Sequence, residues 1–311
     1  NNTTNSVYST NSKNDSRALH YESTMNEIKF YRDKIISEFA NKIINSDKKN
    51  TNRLNLTPPS QKCINREVKL LIDNLPTTFS GSILIRQSSK VPQIFSALIM
   101  GTEKTPYDNA CILFEIYLPN EYPKIPLKIK CITEPTYGKF NPNITNTGDV
   151  TMALLGTYGC TKNISEGRWD PDKSSIYQVL FSMQNLMFTQ NPYFNDSAKD
   201  NLRNSEWSKA QSNQYNQRVH LIVVAECMHN MLKNPPHEFT DAIKCHFLIK
   251  RDYIKQVLNE WNALVDVKLN GSTSSEYLLY HGKTLMDWTN MTIILLDKQL
   301  INQLIHRLIN Q

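Results

Sequence analysis

Four short apolar segments joined by tight connections constrain the fold of this chain more than any other feature of its sequence. They read GSILIRQS, QIFSALIMGT, NACILFEIYLP and LKIKCIT, and they lie between residues 81 and 133. β-Branched and aromatic residues are frequent in them, and the turn EKTPYDN separates the second segment from the third. Because such short connections join neighbouring antiparallel strands, the sequence predicts a four-stranded antiparallel meander.

Helical patterns flank the predicted meander on both sides. QKCINREVKLLIDNL precedes it, and SSIYQVLFSMQNLMFTQ follows it with Ser174 as the expected N-cap. Further helices are predicted over QYNQRVHLIVVAECMHNML, over FTDAIKCHFLIKRDYIKQVLNEWNALV and over a tail that starts near residue 276. This order of elements predicts an α+β fold in which helices pack on a sheet.

The chain divides, by composition and periodicity, into three predicted parts. Residues 1–58 form a low-complexity N-terminal segment whose first 20 or so residues are too polar to offset the entropy of ordering. We expect one amphipathic helix in this segment, because apolar residues recur there at helical spacing: Ile28, Tyr31, Ile35, Phe39 and Ile43. Residues 59–262 form the predicted core domain, and residues 263–311 form a C-terminal helical extension whose apolar stripe we expect to pack on the core.

Composition argues against several classes of function. The net charge is +6, but the lysines are scattered, whereas nucleic-acid binding needs a concentrated basic footprint. No apolar run is long enough to span a membrane, and the first residues lack the layout of a secretory signal. The six cysteines have no paired spacing and are expected to be reduced thiols in a cytoplasmic or nuclear protein. Cys227 with His229, and Cys245 with His246, lack zinc spacing, so we expect no metal and no cofactor.

Several motifs occur together and in a consistent order along the predicted core. GTEKTPYDNACILFEIYLPNEYPKIPLKI ends in a Tyr-Pro-x-x-Pro corner, NPNI follows at residues 141–144, RWDP at 168–171 and NPYFN at 191–195. As a set, these motifs resemble the ubiquitin-conjugating enzyme family, and most closely the conjugating domains of its large BRUCE/Apollon type. The resemblance extends from about residue 64 to residue 262 and implies the ubiquitin-conjugating fold.

The resemblance also implies a chemistry, in which a cysteine holds ubiquitin as a thioester between an activating enzyme and a substrate lysine. The family's cysteine position falls on Thr151, because Gly148 and the following Leu-Leu pair fix the register on both sides. A hydroxyl would need a positioned base to react at neutral pH, and the nearest histidine along the chain is His220. By the same resemblance, Asn143 either donates to the oxyanion or holds the loop in shape.

Three explanations of Thr151 remain open at the level of sequence. In the first explanation the chain is a natural non-catalytic variant, that is, an interaction module for ubiquitin or a ligase. Alternatively, it is an active enzyme whose cysteine has been replaced. In the third explanation Cys160, nine residues downstream in the enlarged loop, is a displaced nucleophile rather than an ordinary loop thiol.

The partners implied by the resemblance are ubiquitin or a ubiquitin-like modifier, a ubiquitin-activating enzyme, and a ligase or substrate protein. Their expected contacts lie on three elements: Arg66 and Lys69 on the first core helix, Lys124 in the proline corner, and Trp169 with Pro171 in the second loop. We expect Trp169 to pin its loop. Tyr193 and Phe194 stand where many relatives carry an acid, which predicts a rim that packs rather than titrates.

Overall fold

The computed structural model describes residues 16–35, 37–49, 59–133, 140–157, 168–196, 198–269 and 279–309. Its centre is a six-stranded sheet in the order β1-β3-β4-β5-β6, with β2 paired to β3. The strands are β1 (Phe30–Asp33), β2 (Thr77–Thr78), β3 (Gly81–Ser88), β4 (Ile94–Met100), β5 (Cys111–Tyr117) and β6 (Lys128–Cys131). The predicted antiparallel meander is confirmed as β3 to β6, in which each strand pairs with the next.

Both faces of this sheet are covered. Every residue of β3 and β4 is buried, so neither face of these two strands is open to solvent. On one face lie Phe114 and its cross-strand neighbour Ala97, and the ring of Phe114 approaches that of Phe188 at 6.3 Å. That face carries the main helical layer.

The helical elements on either side of the sheet follow the predicted order. The described helices are α1 (residues 16–27), α2 (Glu38–Lys49), α3 (Gln61–Asn74), α4 (Ile176–Ser182), α5 (Glu206–Ile222), α6 (Met231–Lys233), α7 (Thr240–Ile249), α8 (Arg251–Leu269) and α9 (Leu285–Ile309). Two of them continue into π-helical segments, Met183–Met187 after α4 and Val223–Asn230 after α5. The N-cap of α4 is Ser175 rather than the predicted Ser174, whose hydroxyl accepts a hydrogen bond from the N–H of Asp170 instead.

The single N-terminal helix predicted from residue 25 onward is wrong. The chain forms α1 up to residue 27, then the strand β1, and only afterwards α2. β1 pairs in parallel with β3, with Phe30 opposite Ile85, and this long-range pairing prevails over the helical periodicity of the segment. Tyr21 and Met25 of α1 are fully buried in the main core, and the helix that contains them includes residues 16–20, which composition predicts to be too polar to order.

Arg86 joins the N-terminal elements to the second face of the sheet. Its side chain is fully buried and donates to the carbonyl of Ile28, at 2.9 Å, and to that of Glu238, at 3.0 Å. Its guanidinium lies 3.5 Å from the centre of the Tyr31 ring and 4.7 Å from that of Phe239. Chain segments that precede and follow the meander in the sequence therefore both contact Arg86 on this face.

The long helix predicted over residues 239–265 is interrupted at Lys250, between α7 and α8. The Lys250 ammonium is buried, donates to the carbonyl of Phe79 at 2.6 Å and lies over the rings of Phe79 and Tyr253. Burial lowers the pKa of this amine to about 8. In α9 the side chain of Leu296 is buried in the main core, as the predicted packing of the tail requires.

In the described part of the chain, no helix combines the length and the apolar character that a bilayer span requires.

Candidate functional site

The loop that carries Asn143 and Thr151 is attached by backbone contacts to the edge strand β6. The N–H of Cys131 donates to the carbonyl of Gly148 at 2.8 Å, and Lys130 forms an isolated bridge with Asp149. Gly148 has a positive φ of 84°, and a Cβ atom there would lie 2.4 Å from the carbonyl oxygen of Cys131. Only glycine fits this approach, which fixes the register of the residues that follow.

Asn141 anchors the start of the loop to the core. Its amide donates to the hydroxyl of Tyr107 and to the carbonyl of Met187, both at 2.8 Å, and its side-chain oxygen accepts the N–H of Asn143 at 2.9 Å. Met187 ends the π-helical segment after α4, and such segments are frequent near functional sites. Sequence reasoning did not single out Asn141 or Tyr107, although both belong to the motifs quoted above.

Asn143 and Thr151 face each other across the loop and are joined by three hydrogen bonds. The N–H of Thr151 donates to the carbonyl of Asn143 at 2.8 Å, and the Thr151 hydroxyl donates to the same carbonyl at 3.1 Å. In return, the Asn143 amide donates to the carbonyl of Thr151 at 3.0 Å. Asn143 is buried and Thr151 is half-buried, so the side chain of residue 151 reaches the surface beside the Asn143 turn.

This arrangement favours holding the loop over activating the hydroxyl. The proton of the Thr151 hydroxyl is directed to a backbone carbonyl, which cannot serve as a general base. The Asn143 amide makes the contact expected of a loop-holding side chain, and its oxyanion role stays a prediction. Cys160, the alternative nucleophile, lies outside the described residues.

The predicted partner contacts on α3, on the proline corner and on the second loop lie together. Arg66 donates to the carbonyl of Asp172 at 3.0 Å, which ties α3 to the second loop. The indole N–H of Trp169 donates to the carbonyl of Pro123 at 2.7 Å, which ties that loop to the corner. Trp169 is half-buried, whereas four of the predicted contacts are exposed: Arg66, Lys69, Lys124 and Pro171.

The rim formed by Tyr193 and Phe194 is aromatic and packed. Phe194 is buried, and Tyr193 meets it edge-on with ring centres 5.2 Å apart. Lys199 lies 4.4 Å from the centre of the Tyr193 ring, and Arg203 lies 5.1 Å from that of Phe194. Neither ring side chain offers a carboxylate that could accept a proton from an incoming amine.

The two Cys/His pairs lie within the helical layer. Cys227 and His246 are fully buried, and the Nδ1 atom of His246 shares a hydrogen bond with the Tyr21 hydroxyl at 2.8 Å. Among the described residues, no three or more His, Cys, Asp or Glu side chains are grouped as metal ligands.

Comparison with known proteins assigns the family. A family model described as ubiquitin-conjugating enzyme matches residues 63–223, just over half of the chain. The chain belongs to the ubiquitin-conjugating enzyme family. Its α+β sheet and helices are therefore the ubiquitin-conjugating fold, as the motifs predicted.

Two relatives show which kinds of family member this conjugating-enzyme domain is similar to. It is 32% identical over 249 residues to the probable ubiquitin-conjugating enzyme E2 R521 of Acanthamoeba polyphaga mimivirus, and the aligned region covers 80% of this chain and 17% of that protein. It is also 32% identical over 219 residues to the human dual E2 ubiquitin-conjugating enzyme/E3 ubiquitin-protein ligase BIRC6 (BRUCE), and this alignment covers 70% of this chain and 4% of that protein. The predicted likeness to the BRUCE type is confirmed.

The conjugating-enzyme domain thus spans only a small part of these two relatives. Among solved structures it is similar to human ubiquitin-conjugating enzyme E2 G1, with 24% identity over 41% of this chain and 93% of that chain. The TM-score of this superposition is 0.33, so the family assignment rests on the sequence match alone.

Proposed function

We propose that this conjugating-enzyme domain binds partners of the ubiquitin pathway but does not carry ubiquitin on residue 151. The observation that supports the proposal is the set of three hydrogen bonds between Asn143 and Thr151. They join the hydroxyl to the loop backbone, while the exposed face of α3, the corner and the second loop stays free for partners. Family membership supports ubiquitin or a ubiquitin-like modifier, an activating enzyme, and a ligase or substrate protein as those partners.

The chemistry of the two side chains supports the same conclusion. An unperturbed thiol has a pKa of about 8.5, so part of it is already thiolate near neutral pH. A hydroxyl needs a base to remove its proton, and the only acceptor recorded for the Thr151 hydroxyl in the described residues is the carbonyl of Asn143. The carrier role of the lineage would then depend on a cysteine at position 151 or on Cys160.

The chain's three-part division also stays a proposal: residues 1–58, the conjugating core 59–262, and the extension 263–311. Because the domain covers 17% and 4% of the two relatives named above, the activity of any longer protein that contains it is a separate proposal.

Incubation of the protein with ubiquitin-activating enzyme, ATP and ubiquitin, followed by gels with and without reductant, tests the absence of a thioester. We expect no reductant-sensitive adduct. A reductant-sensitive adduct that disappears in the Cys160→Ala variant would assign the carrier role to Cys160, whereas a reductant-resistant, alkali-labile ester that disappears in Thr151→Ala would contradict the proposal.

Binding of the activating enzyme to the immobilised protein tests the retained partner surface. We expect Lys124→Glu, on the exposed corner, to weaken binding by about tenfold, since loss of one interface anchor costs more than about 1 kcal/mol. Lys244→Glu makes the same charge change on the exposed side of α7 and is the matched control. Absence of binding by the unaltered protein, or equal effects of the two variants, would contradict the proposal.

A further inference from the structure

A buried carboxylate lies directly beneath the partner surface. Glu67 of α3 is 1% exposed, and its Oε2 atom accepts the N–H of Ile176, the first residue of α4, at 2.9 Å. Glu67 therefore connects α3 to the start of α4, just beyond the second loop. Arg66, the preceding residue, makes an exposed hydrogen bond to the end of that loop.

The second oxygen of Glu67 faces the proline corner. Neither Glu67 Oε1 nor the Tyr122 hydroxyl has a hydrogen-bond partner of good geometry within the described part of the chain. The two groups nevertheless interact: burial and then the charge of Glu67 raise the pKa of Tyr122, and Tyr122 in turn stabilises the Glu67 carboxylate. Each is thus the group best placed to satisfy the other.

Tyr122 extends this connection to the second loop. Its ring lies 5.6 Å from that of Trp169, and the indole N–H of Trp169 donates to the carbonyl of Pro123, which follows Tyr122. One buried side chain therefore contacts α4 and the corner, and through the corner it supports the loop. These are the elements on which the exposed contacts Arg66, Lys124 and Pro171 lie.

We infer that Glu67 is a positioning residue for the partner surface: it holds α3, the proline corner and the second loop in the relative geometry that an activating enzyme binds. The inference rests on the proposed function, because it concerns the surface to which that function assigns partner binding. The Glu67 carboxylate is 1% exposed, accepts a hydrogen bond from the start of α4 at one oxygen, and interacts through its charge with Tyr122 of the corner.

Hydrogen–deuterium exchange of the free protein tests the positioning, and affinity for ubiquitin-activating enzyme tests its consequence. In Glu67→Ala, the Ile176 N–H loses its acceptor, and the Tyr122 hydroxyl loses the carboxylate with which it interacts. We expect exchange in residues 119–126 and 168–175 to rise about tenfold, and affinity to fall by a similar factor, because a buried donor is left unpaired.

Two further variants separate positioning from general stability. Glu67→Gln retains an acceptor for Ile176 and a donor for Tyr122, so we expect it to restore both measurements to nearly the unaltered values. Ile254→Val removes one methyl group from the core at α8, outside the partner surface, and we expect it to lower the melting temperature without changing affinity. If Glu67→Ala does not fold, Tyr122→Phe removes the hydroxyl alone and is expected to give the same changes at smaller size.

Uniform acceleration of exchange over the whole molecule in Glu67→Ala would overturn the inference, as would faster exchange of the loops with unchanged affinity. Failure of Glu67→Gln to restore both measurements would overturn it as well. If the unaltered protein does not bind the activating enzyme, the proposed function fails, while the exchange data still decide whether Glu67 positions the corner and loop.

Discussion

The hydroxyl of Thr151 lies beside a carbonyl oxygen, and that neighbour determines what the residue can do. A hydroxyl donates well to a carbonyl, whereas a thiol is a weak donor. The bond from the Thr151 hydroxyl to Asn143 therefore helps to close the loop, in addition to the two bonds that involve the main chain of residue 151. Under the proposed function, a threonine at this position contributes a loop contact where a cysteine would supply a nucleophile.

A buried histidine makes the stability of the protein depend on pH. His220 is 8% exposed, its ring is stacked on that of Trp261 at 4.1 Å, and burial lowers its pKa to about 3. In the unfolded chain the group takes up a proton below a pH of about 6.5, but in the folded protein it stays neutral. The contribution of the neutral His220 ring to the free energy of unfolding is therefore fully present above pH 6.5, and it is lost progressively as the pH falls from 6.5 towards 3.

Replacing His220 with phenylalanine keeps a ring against Trp261 and removes the titration. Between pH 7 and pH 5, we expect the unaltered protein to lose about 2 kcal/mol more unfolding free energy than His220→Phe, as measured by urea unfolding. His220→Gln loses the ring stack but also lacks the titration, so its loss on acidification should match that of His220→Phe. Equal pH dependence in all three proteins would contradict this account.

At the scale of elements, Arg86 fastens the edge strand β1 and the segment that joins it to α1 to the rest of the sheet. The side chain meets the carbonyl of Ile28 on one side and that of Glu238 on the other. Both carbonyls would lose a donor if the guanidinium were removed. This fastening explains how a polar segment near the N-terminus can be ordered.

Replacing Arg86 with methionine should weaken the attachment of β1 and the preceding segment to the rest of the protein. We expect a loss of about 2 kcal/mol in unfolding free energy, since each buried acceptor left unpaired costs about 1–3 kcal/mol. Amide exchange should accelerate most in β1 and in residues 237–239. Arg32→Met changes the same residue type on an exposed position of β1 and should have little effect. A loss no greater than that of Arg32→Met would contradict the fastening role.

The elements differ in how well the sequence predicts them because they differ in the range of their interactions. β3 to β6 pair with their neighbours along the chain, so apolar segments and short turns sufficed to predict them. β1 pairs with β3 across more than 50 residues, whereas the apolar spacing within the N-terminal segment alone favours a helix. The interruption at Lys250 depends on a buried ammonium that meets Phe79 and Tyr253, which no local pattern reveals.

At the scale of the whole molecule, the sequence predicts the residues of the candidate site that belong to motifs, but it does not predict the roles of the buried residues that hold them in place. The order of motifs placed Asn143 and Thr151 in one loop, and the structure brings them into contact. Asn141, Tyr107 and Glu67 support the site from within, through contacts with residues far away in the sequence. Their roles depend on burial and on partners, which a single sequence does not contain.

The most direct test of the account is to return a thiol to position 151. With activating enzyme, ATP and ubiquitin, Thr151→Cys should form a ubiquitin adduct that reductant removes, while the unaltered protein forms none. That result would mean that the loop, Asn143 and the partner surface are competent and that only the nucleophile is absent. A folded Thr151→Cys protein that binds the activating enzyme yet forms no adduct would contradict the claim that residue 151 occupies the family's cysteine position.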